Sequence, residues 1–148
     1  MSETKTKPTI QSTIEINLSE KKTETTSNKL RVLIVDDDPA VRKILMELLS
    51  RYYTVITAST GVQLPELLQR HTPDLVILDV MLPWIDGFEL CRIIKTHHQG
   101  KETPVLFLTG CQEKEDILTG QEVGCSGYLT KPFHAKQLYQ EVERLLAA

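Results

Sequence analysis

The sequence predicts an α/β protein in which a doubly wound, five-stranded parallel sheet is covered by helices on both faces. Short apolar runs alternate along the chain with segments whose apolar residues recur at helical spacing. Runs such as Leu75–Leu78 are apolar throughout, which is typical of strands that are buried on both faces of a parallel sheet. The regular alternation of the two patterns favours helices that cross over between parallel strands.

The predicted elements follow one another from Leu30 to the end of the chain. The strands are predicted at Val32–Val35, Tyr53–Ala58, Leu75–Leu78, Pro104–Leu108 and Gly127–Leu129. The first helix follows from an apolar stripe formed by Val41, Ile44, Leu45, Leu48 and Leu49. The other helices are predicted at Gly61–His71, Gly87–His98, Glu113–Val123 and His134–Leu146, and the fourth of the five helices is the most weakly patterned.

Residues 1–28 differ in composition from the rest of the chain. They are rich in Thr, Ser, Lys and Glu and contain no aromatic residue, which predicts a flexible N-terminal tail before a domain at 29–148. Four apolar residues interrupt this segment: Ile10, Ile14, Ile16 and Leu18. They indicate either a short strand or docking segment, or a few apolar residues within a disordered arm.

Bulk properties exclude several classes of function. The net charge is −3 and no long basic run occurs, so a surface that tracks nucleic-acid phosphates is not indicated. The apolar runs fall far short of the roughly 20 residues that cross a bilayer, and the N-terminus lacks a signal sequence, so we expect a cytoplasmic protein. Cys91, Cys111 and Cys125 are dispersed, which indicates reduced thiols rather than a disulfide or zinc site.

Chemically active residues follow the ends of four predicted strands. Asp36 and Asp37 follow the first, Asp79 the third, Thr109 the fourth and Lys131 the fifth. Ligands in open parallel sheets bind outside these ends, and three acids gathered there would repel one another unless a hard cation such as Mg²⁺ joined them. Each residue alone is more typical of a turn, a strand end or a solvated surface, but the combination favours a site for Mg²⁺ and a phosphoryl group.

Four motifs at these strand ends carry a resemblance to a known family. They are VDDDP at 35–39, LDVMLPWIDGFEL at 78–90, FLTG at 107–110 and GYLTKPF at 127–133. In this order and at this spacing, residues 31–147 resemble the receiver domain of bacterial response regulators, the phospho-accepting partners in two-component and phosphorelay systems. The resemblance implies the flavodoxin-like receiver fold.

The resemblance also implies roles for the acidic residues. Asp79 is similar to the phosphoacceptor of the family. Asp36 and Asp37 resemble the acidic pair that holds Mg²⁺, Asp37 directly and Asp36 largely through water. The backbone carbonyl of Met81 would be a further metal ligand. Asp38, in contrast, is typical of a helix N-cap before a proline at the first helical position.

The remaining motif residues resemble the switch of the family. Thr109 is similar to the hydroxyl residue that moves to bond the phosphoryl group, and Tyr128 to the aromatic residue that rotates inward with it. Lys131 resembles the lysine that pairs with a phosphoryl oxygen, and a cis bond to Pro132 is expected. Gly110 should leave the phosphoryl group accessible. Trp84 is expected to be half exposed, either as a partner contact or as cover for its loop.

The function implied by the resemblance is phosphoryl transfer from a sensor histidine kinase or a histidine phosphotransfer protein onto Asp79. The surface of helix 4, strand 5 and helix 5 would then change and control a protein partner, an output domain beyond Ala148, or a homodimer that forms on phosphorylation. Such a chain is not an enzyme, although it assists its own phosphorylation and dephosphorylation.

Two other functions remain open. One is a receiver-like binding module that works without phosphorylation, although such modules usually lack one of the residues that are present here. The other is a Mg²⁺-dependent phosphohydrolase, which would need a second acid two residues after the nucleophile, where this chain has Met81.

Overall fold

A computed structural model of the protein describes residues 29–97 and 100–147. The strands are β1 (Arg31–Val35), β2 (Thr54–Ala58), β3 (Leu75–Leu78), β4 (Val105–Thr109) and β5 (Gly127–Thr130). The helices are α1 (Pro39–Leu49), α2 (Leu64–His71), α3 (Gly87–Thr96), α4 (Lys114–Glu122) and α5 (Ala135–Ala147). The tail predicted at 1–28, with its apolar segment, lies outside the described residues, and so does the predicted end of the third helix at His98.

All five strands run parallel in the order β2-β1-β3-β4-β5. The prediction of a doubly wound α/β fold is therefore confirmed. The strand order reverses between β1 and β3, which are direct neighbours and pair as far as Val35 with Leu78. The carboxyl ends of these two strands thus form the switch point at which ligands of such sheets bind.

Apolar side chains fill both faces of the sheet. In β1, Leu33 and Val35 belong to one buried cluster, whereas Val32 and Ile34 belong to the other. This alternation explains why the central strands are apolar at every position, because neither face is open to water. The edge strand β5 is only half-buried along its length.

Helix α1 starts as the sequence predicts, but its apolar stripe is only partly buried. The Ala40 N–H donates to Asp38 Oδ1 at 2.9 Å, so Asp38 is the N-cap of a helix that begins at Pro39. Leu45 and Leu49 are buried, whereas Ile44 is 47% exposed. The predicted stripe is therefore wider than the buried face of α1, and Ile44 lies at its exposed border.

Helix α2 begins three residues later than predicted. The Leu64 N–H donates to the Gly61 carbonyl at 3.1 Å, so residues 61–63 form a turn rather than a first helical turn. Pro65 then lies in the first turn of α2, where it costs no intrahelical hydrogen bond. Across the residues that the structure describes, no helix combines the length and apolar character that crossing a membrane requires.

Candidate functional site

The ends of β1 and β3 place two carboxylates side by side. The Asp36 N–H donates to the Ala58 carbonyl and the Asp79 N–H donates to the Val35 carbonyl, both at 3.1 Å. The sheet hydrogen bonding therefore continues one residue beyond each strand and fixes both aspartates at the same edge. Both residues are buried, since Asp36 is 2% and Asp79 6% exposed.

Lys131 bridges these two buried carboxylates. Its Nζ donates to Asp36 Oδ2 at 2.8 Å and to Asp79 Oδ2 at 2.9 Å. The Lys131 N–H donates to the Thr109 carbonyl at 2.8 Å, and the Lys131–Pro132 peptide bond is cis, as expected from the sequence. The main-chain bond to Thr109 fixes the lysine just beyond the end of β5, and its ammonium reaches the carboxylates at the ends of β1 and β3.

Burial and hydrogen bonding act in opposite directions on the ionisation of this pair. Burial lowers the pKa of Lys131, but the hydrogen bonds to Asp36 and Asp79 outweigh it, so the pKa is raised overall. Burial raises the pKa of Asp36, and the bonds from Lys131 and the Asp38 N–H only partly offset that rise. Burial therefore outweighs the stabilisation that the Lys131 ammonium gives to the Asp36 carboxylate, and the pKa of Asp36 is raised overall.

Asp37 completes a group of three acids. Oxygen atoms of Asp36, Asp37 and Asp79 all lie within 4.8 Å of one another, and Asp37 is the exposed member of the group. The only ammonium that is hydrogen-bonded within this group, among the described residues, is that of Lys131. Carboxylate oxygens are the ligands that Mg²⁺ prefers, so the donor set and its excess negative charge fit this ion.

The loop between β3 and α3 holds the second oxygen of Asp79. The Met81 N–H donates to Asp79 Oδ1 at 3.1 Å, so each Asp79 oxygen has a donor. The Gly87 N–H closes the loop by donating to the Val80 carbonyl at 2.8 Å. A Cβ on Gly87 would lie 2.1 Å from the Asp79 carbonyl oxygen, which explains the glycine. Sequence reasoning did not identify Gly87, although a glycine at the start of a helix was visible in the motif.

Trp84 is more exposed than the sequence led us to expect. The prediction of half exposure is wrong, since the residue is 86% exposed. The Ile85 N–H donates to the Pro83 carbonyl at 2.9 Å, which closes a tight turn around Trp84. In this turn Trp84 has a φ of 77°, a left-handed conformation that directs the indole away from the domain.

Thr109 and Gly110 occupy the end of β4. Thr109 is fully buried, and its Oγ1 accepts a hydrogen bond from the Cys111 N–H at 3.2 Å. A Cβ on Gly110 would meet no atom within 4 Å, so this position leaves open space at the edge of the sheet. The structure thus places a hydroxyl and an open approach at the strand next to β3.

Tyr128 is connected to Thr109 through the backbone of Cys111. The Tyr128 hydroxyl donates to the Cys111 carbonyl at 2.6 Å, and its ring lies 5.8 Å from the ring of Phe107. Burial, followed by the nearby charge of Asp116, raises the pKa of Tyr128 to about 12, so the hydroxyl remains a hydrogen-bond donor. The bridging role of Cys111 was not foreseen, because it depends on the main chain rather than on the side chain.

Arg42 is a second residue that sequence reasoning missed. Its Nη1 donates to the backbone carbonyl of Asp36 at 2.7 Å. Six residues separate the two along the chain, and only the folding of α1 back over the end of β1 brings them together. The structure therefore gathers Asp36, Asp37, Asp79 and Lys131 as predicted and adds Arg42, while their chemical roles stay predictions.

Comparison with known proteins identifies one family. The sequence pattern of the response regulator receiver domain matches residues 32–143. A probable transcriptional regulator, ycf27 of Guillardia theta, is 40% identical over 119 residues, which make up 80% of this chain and 46% of that protein. The chain spans about half the length of the curated relatives it matches.

Two solved structures illustrate the likeness of fold. A putative response regulator from Chloroflexus aurantiacus J-10-fl has a TM-score of 0.78 and 35% identity, and the match covers 82% of this chain and all of that one. The BeF3-activated receiver domain of DrrB has a TM-score of 0.74 and 37% identity, over 81% of this chain and 99% of its own.

Proposed function

The chain belongs to the response regulator receiver domain family, and we propose that it accepts a phosphoryl group on Asp79 from a phosphohistidine of a sensor histidine kinase or a histidine phosphotransfer protein. The observation that carries this proposal is the bridge that Lys131 makes between the buried carboxylates of Asp36 and Asp79. Domains of this family act in signalling rather than as conventional enzymes.

Asp79 is the nucleophile of the proposed transfer. Hydrogen bonds from Met81 and Lys131 hold its two oxygens, so the carboxylate is kept in one orientation. An oxygen of Asp79 attacks phosphorus in line, and the bond between phosphorus and the donor imidazole nitrogen breaks. The electron pair of that bond goes to the imidazole, and the product is an aspartyl acyl phosphate.

Mg²⁺ is the proposed cofactor. Asp36, Asp37, Asp79 and the backbone carbonyl of Met81 would hold it, and when bound it neutralises charge on the transferred group. The three carboxylates lie close enough together to hold one cation, and a phosphoryl oxygen would add to the oxygen ligands that Mg²⁺ prefers.

Lys131 and Thr109 act on the phosphoryl group after transfer. The new group carries about two negative charges, and the Lys131 ammonium, which already bonds Asp79, pairs with one of its oxygens. Thr109 carries a hydroxyl at the end of β4, the strand next to β3. This hydroxyl would give up the hydrogen bond that it accepts from the Cys111 N–H and would donate one to the phosphoryl group. Gly110 leaves the approach to this side open.

The proposed output is a shift between two packings of the α4-β5-α5 face. The Tyr128 hydroxyl on β5 donates to the Cys111 carbonyl, and the Cys111 N–H donates to Thr109. A movement of Thr109 would therefore displace Cys111 and, through it, Tyr128. Downstream proteins, an output domain in a longer protein, or a phosphorylation-dependent homodimer would read this face. We further propose that the protein is cytoplasmic, a location consistent with its three free thiols.

The test is uptake of a phosphoryl group from a small acyl phosphate, with Mg²⁺, by the full chain. The wild type should gain the mass of one phosphoryl group, and removing Mg²⁺ with a chelator should prevent it. Asp79→Asn should gain nothing. Asp86→Asn is the matched control, because Asp86 lies on the same loop, caps α3, and Asn caps equally well. Labelling of Asp79→Asn would show the nucleophile to be wrong, and an unlabelled wild type would favour the passive binding module.

A further inference from the structure

Arg42 holds a backbone group of one of the acids at the site. Its guanidinium Nη1 lies 2.7 Å from the carbonyl oxygen of Asp36, and the side chain is partly buried. The sheet ladder of β1 ends at Val35, so this carbonyl lies beyond the regular pairing of the strands. The side chain of Arg42, which belongs to α1, donates a hydrogen bond to this carbonyl in place of a neighbouring strand.

Each polar group of Asp36 has a hydrogen-bond partner. Its N–H donates to Ala58, its Oδ1 accepts from Asp38, its Oδ2 accepts from Lys131 and its carbonyl accepts from Arg42. Together these bonds set the position of the main chain between β1 and α1, which also carries the exposed Asp37.

We propose that Arg42 is a positioning residue that orients Asp36 and Asp37 for a divalent cation by holding the Asp36 carbonyl. This inference rests on the proposed function. Arg42 itself donates to the main chain rather than to a carboxylate, so it acts on the cation through Asp36. Partners that orient metal ligands in this way commonly change metal affinity by about 10- to 100-fold when they are removed.

Charge and positioning make opposite contributions to cation affinity. The guanidinium is positive and bonds the main chain of one of the three acids, so loss of its charge alone would make the site more negative and strengthen cation binding. Loss of the hydrogen bond to Asp36 would let the turn relax and would weaken cation binding. The sign of the effect therefore distinguishes the two contributions.

Lys43 provides the matched control. It is the next residue of α1, carries the same charge and is exposed. We would measure Mg²⁺ affinity by titration calorimetry on the full chain as wild type, Arg42→Ala and Lys43→Ala. Thermal unfolding without metal would be recorded beside it. Arg42→Ala should bind Mg²⁺ about tenfold more weakly than the wild type, whereas Lys43→Ala should stay within about twofold.

Several results would overturn the inference. An Arg42→Ala variant whose Mg²⁺ affinity equals that of Lys43→Ala, or exceeds that of the wild type, would show that the residue contributes charge alone. An unchanged affinity with a lowered melting temperature would show a purely structural anchor. If Arg42→Ala does not fold, Arg42→Lys replaces it, because the charge stays and only the guanidinium geometry is lost. Weakened Mg²⁺ binding by that variant supports positioning, and wild-type affinity contradicts it.

Failure of the proposed function would look different. A wild type that neither binds Mg²⁺ nor takes up a phosphoryl group would remove the basis of both proposals before the variants are compared. A wild type that does both, with an Arg42→Ala variant of wild-type Mg²⁺ affinity, would remove the inference on Arg42 alone.

Discussion

Replacement of Gly87 by alanine should destabilise the domain at the loop that holds Asp79. The new Cβ would lie 2.1 Å from the Asp79 carbonyl oxygen and 2.7 Å from the Val80 Cα. Both contacts are with backbone atoms, which cannot turn away as a flexible side chain would. The start of α3 and the end of β3 must therefore move apart by about 1 Å or more.

Two losses and one gain determine the size of the effect. Overpacking of this kind costs about 1–3 kcal/mol, and displacement of Gly87 breaks the 2.8 Å hydrogen bond to the Val80 carbonyl, worth about 1 kcal/mol. The better helix propensity of alanine returns less than about 1 kcal/mol. We expect a net loss of roughly 2–3 kcal/mol in the free energy of unfolding, or about 10 °C in melting temperature for a domain of this size.

Gly110→Ala is the matched control for this measurement. A Cβ there meets nothing within 4 Å, so its unfolding free energy should stay within about 0.5 kcal/mol of the wild type or rise slightly. Urea unfolding followed by circular dichroism would compare the three proteins. Equal stability of Gly87→Ala and Gly110→Ala would refute the steric reasoning about the loop.

Substitutions at three further residues test other parts of the structure. Lys131→Met should lower the unfolding free energy at pH 7 by about 2 kcal/mol, since it leaves Asp36 and Asp79 buried without a cation. That loss should shrink towards pH 4, because the pKa of Asp36 is already raised by burial and a protonated carboxyl group needs no cation; equal losses in urea unfolding at both pH values would contradict this. Burial raises the pKa of the Cys91 thiol from 9.0 to about 11, so its contribution to stability is complete below pH 9 and is lost as pH rises to about 11. Between pH 9 and pH 11 the unfolding free energy of the wild type, measured in urea, should therefore fall by about 2 kcal/mol more than that of Cys91→Ala. Parallel pH curves for the two proteins would oppose the raised pKa of Cys91. Trp84→Gly should be about 1 kcal/mol more stable than Trp84→Ala, because glycine adopts a φ of 77° without strain; thermal unfolding of the two variants would test this, and an equal melting temperature would argue against a left-handed conformation.

Much of the fold was predictable because the signals are local. The N-cap at Asp38, the proline after it and the continuous apolar runs each depend on a few adjacent residues, and the structure confirms them. The predicted strand and helix ends differ from the observed ones by up to three residues, as at Leu64, where a turn from Gly61 replaces the first helical turn. The exposure of Ile44 and Trp84 could not be predicted, because it depends on which neighbouring surface each side chain meets.

The chemistry of the candidate site was already contained in the order of residues along the chain. Parallel strands bring their carboxyl ends to one edge, so acids, a hydroxyl and a lysine that follow strands must meet there. The individual contacts between these residues could not be predicted, since Lys131 and Asp36 lie 95 positions apart in the sequence. Arg42 on the Asp36 carbonyl, the Cys111 main chain between Thr109 and Tyr128, and the tight approach of Gly87 to Asp79 became visible only in three dimensions. Backbone groups make these contacts, and because every residue has the same backbone, its partners are set by packing rather than by side-chain identity.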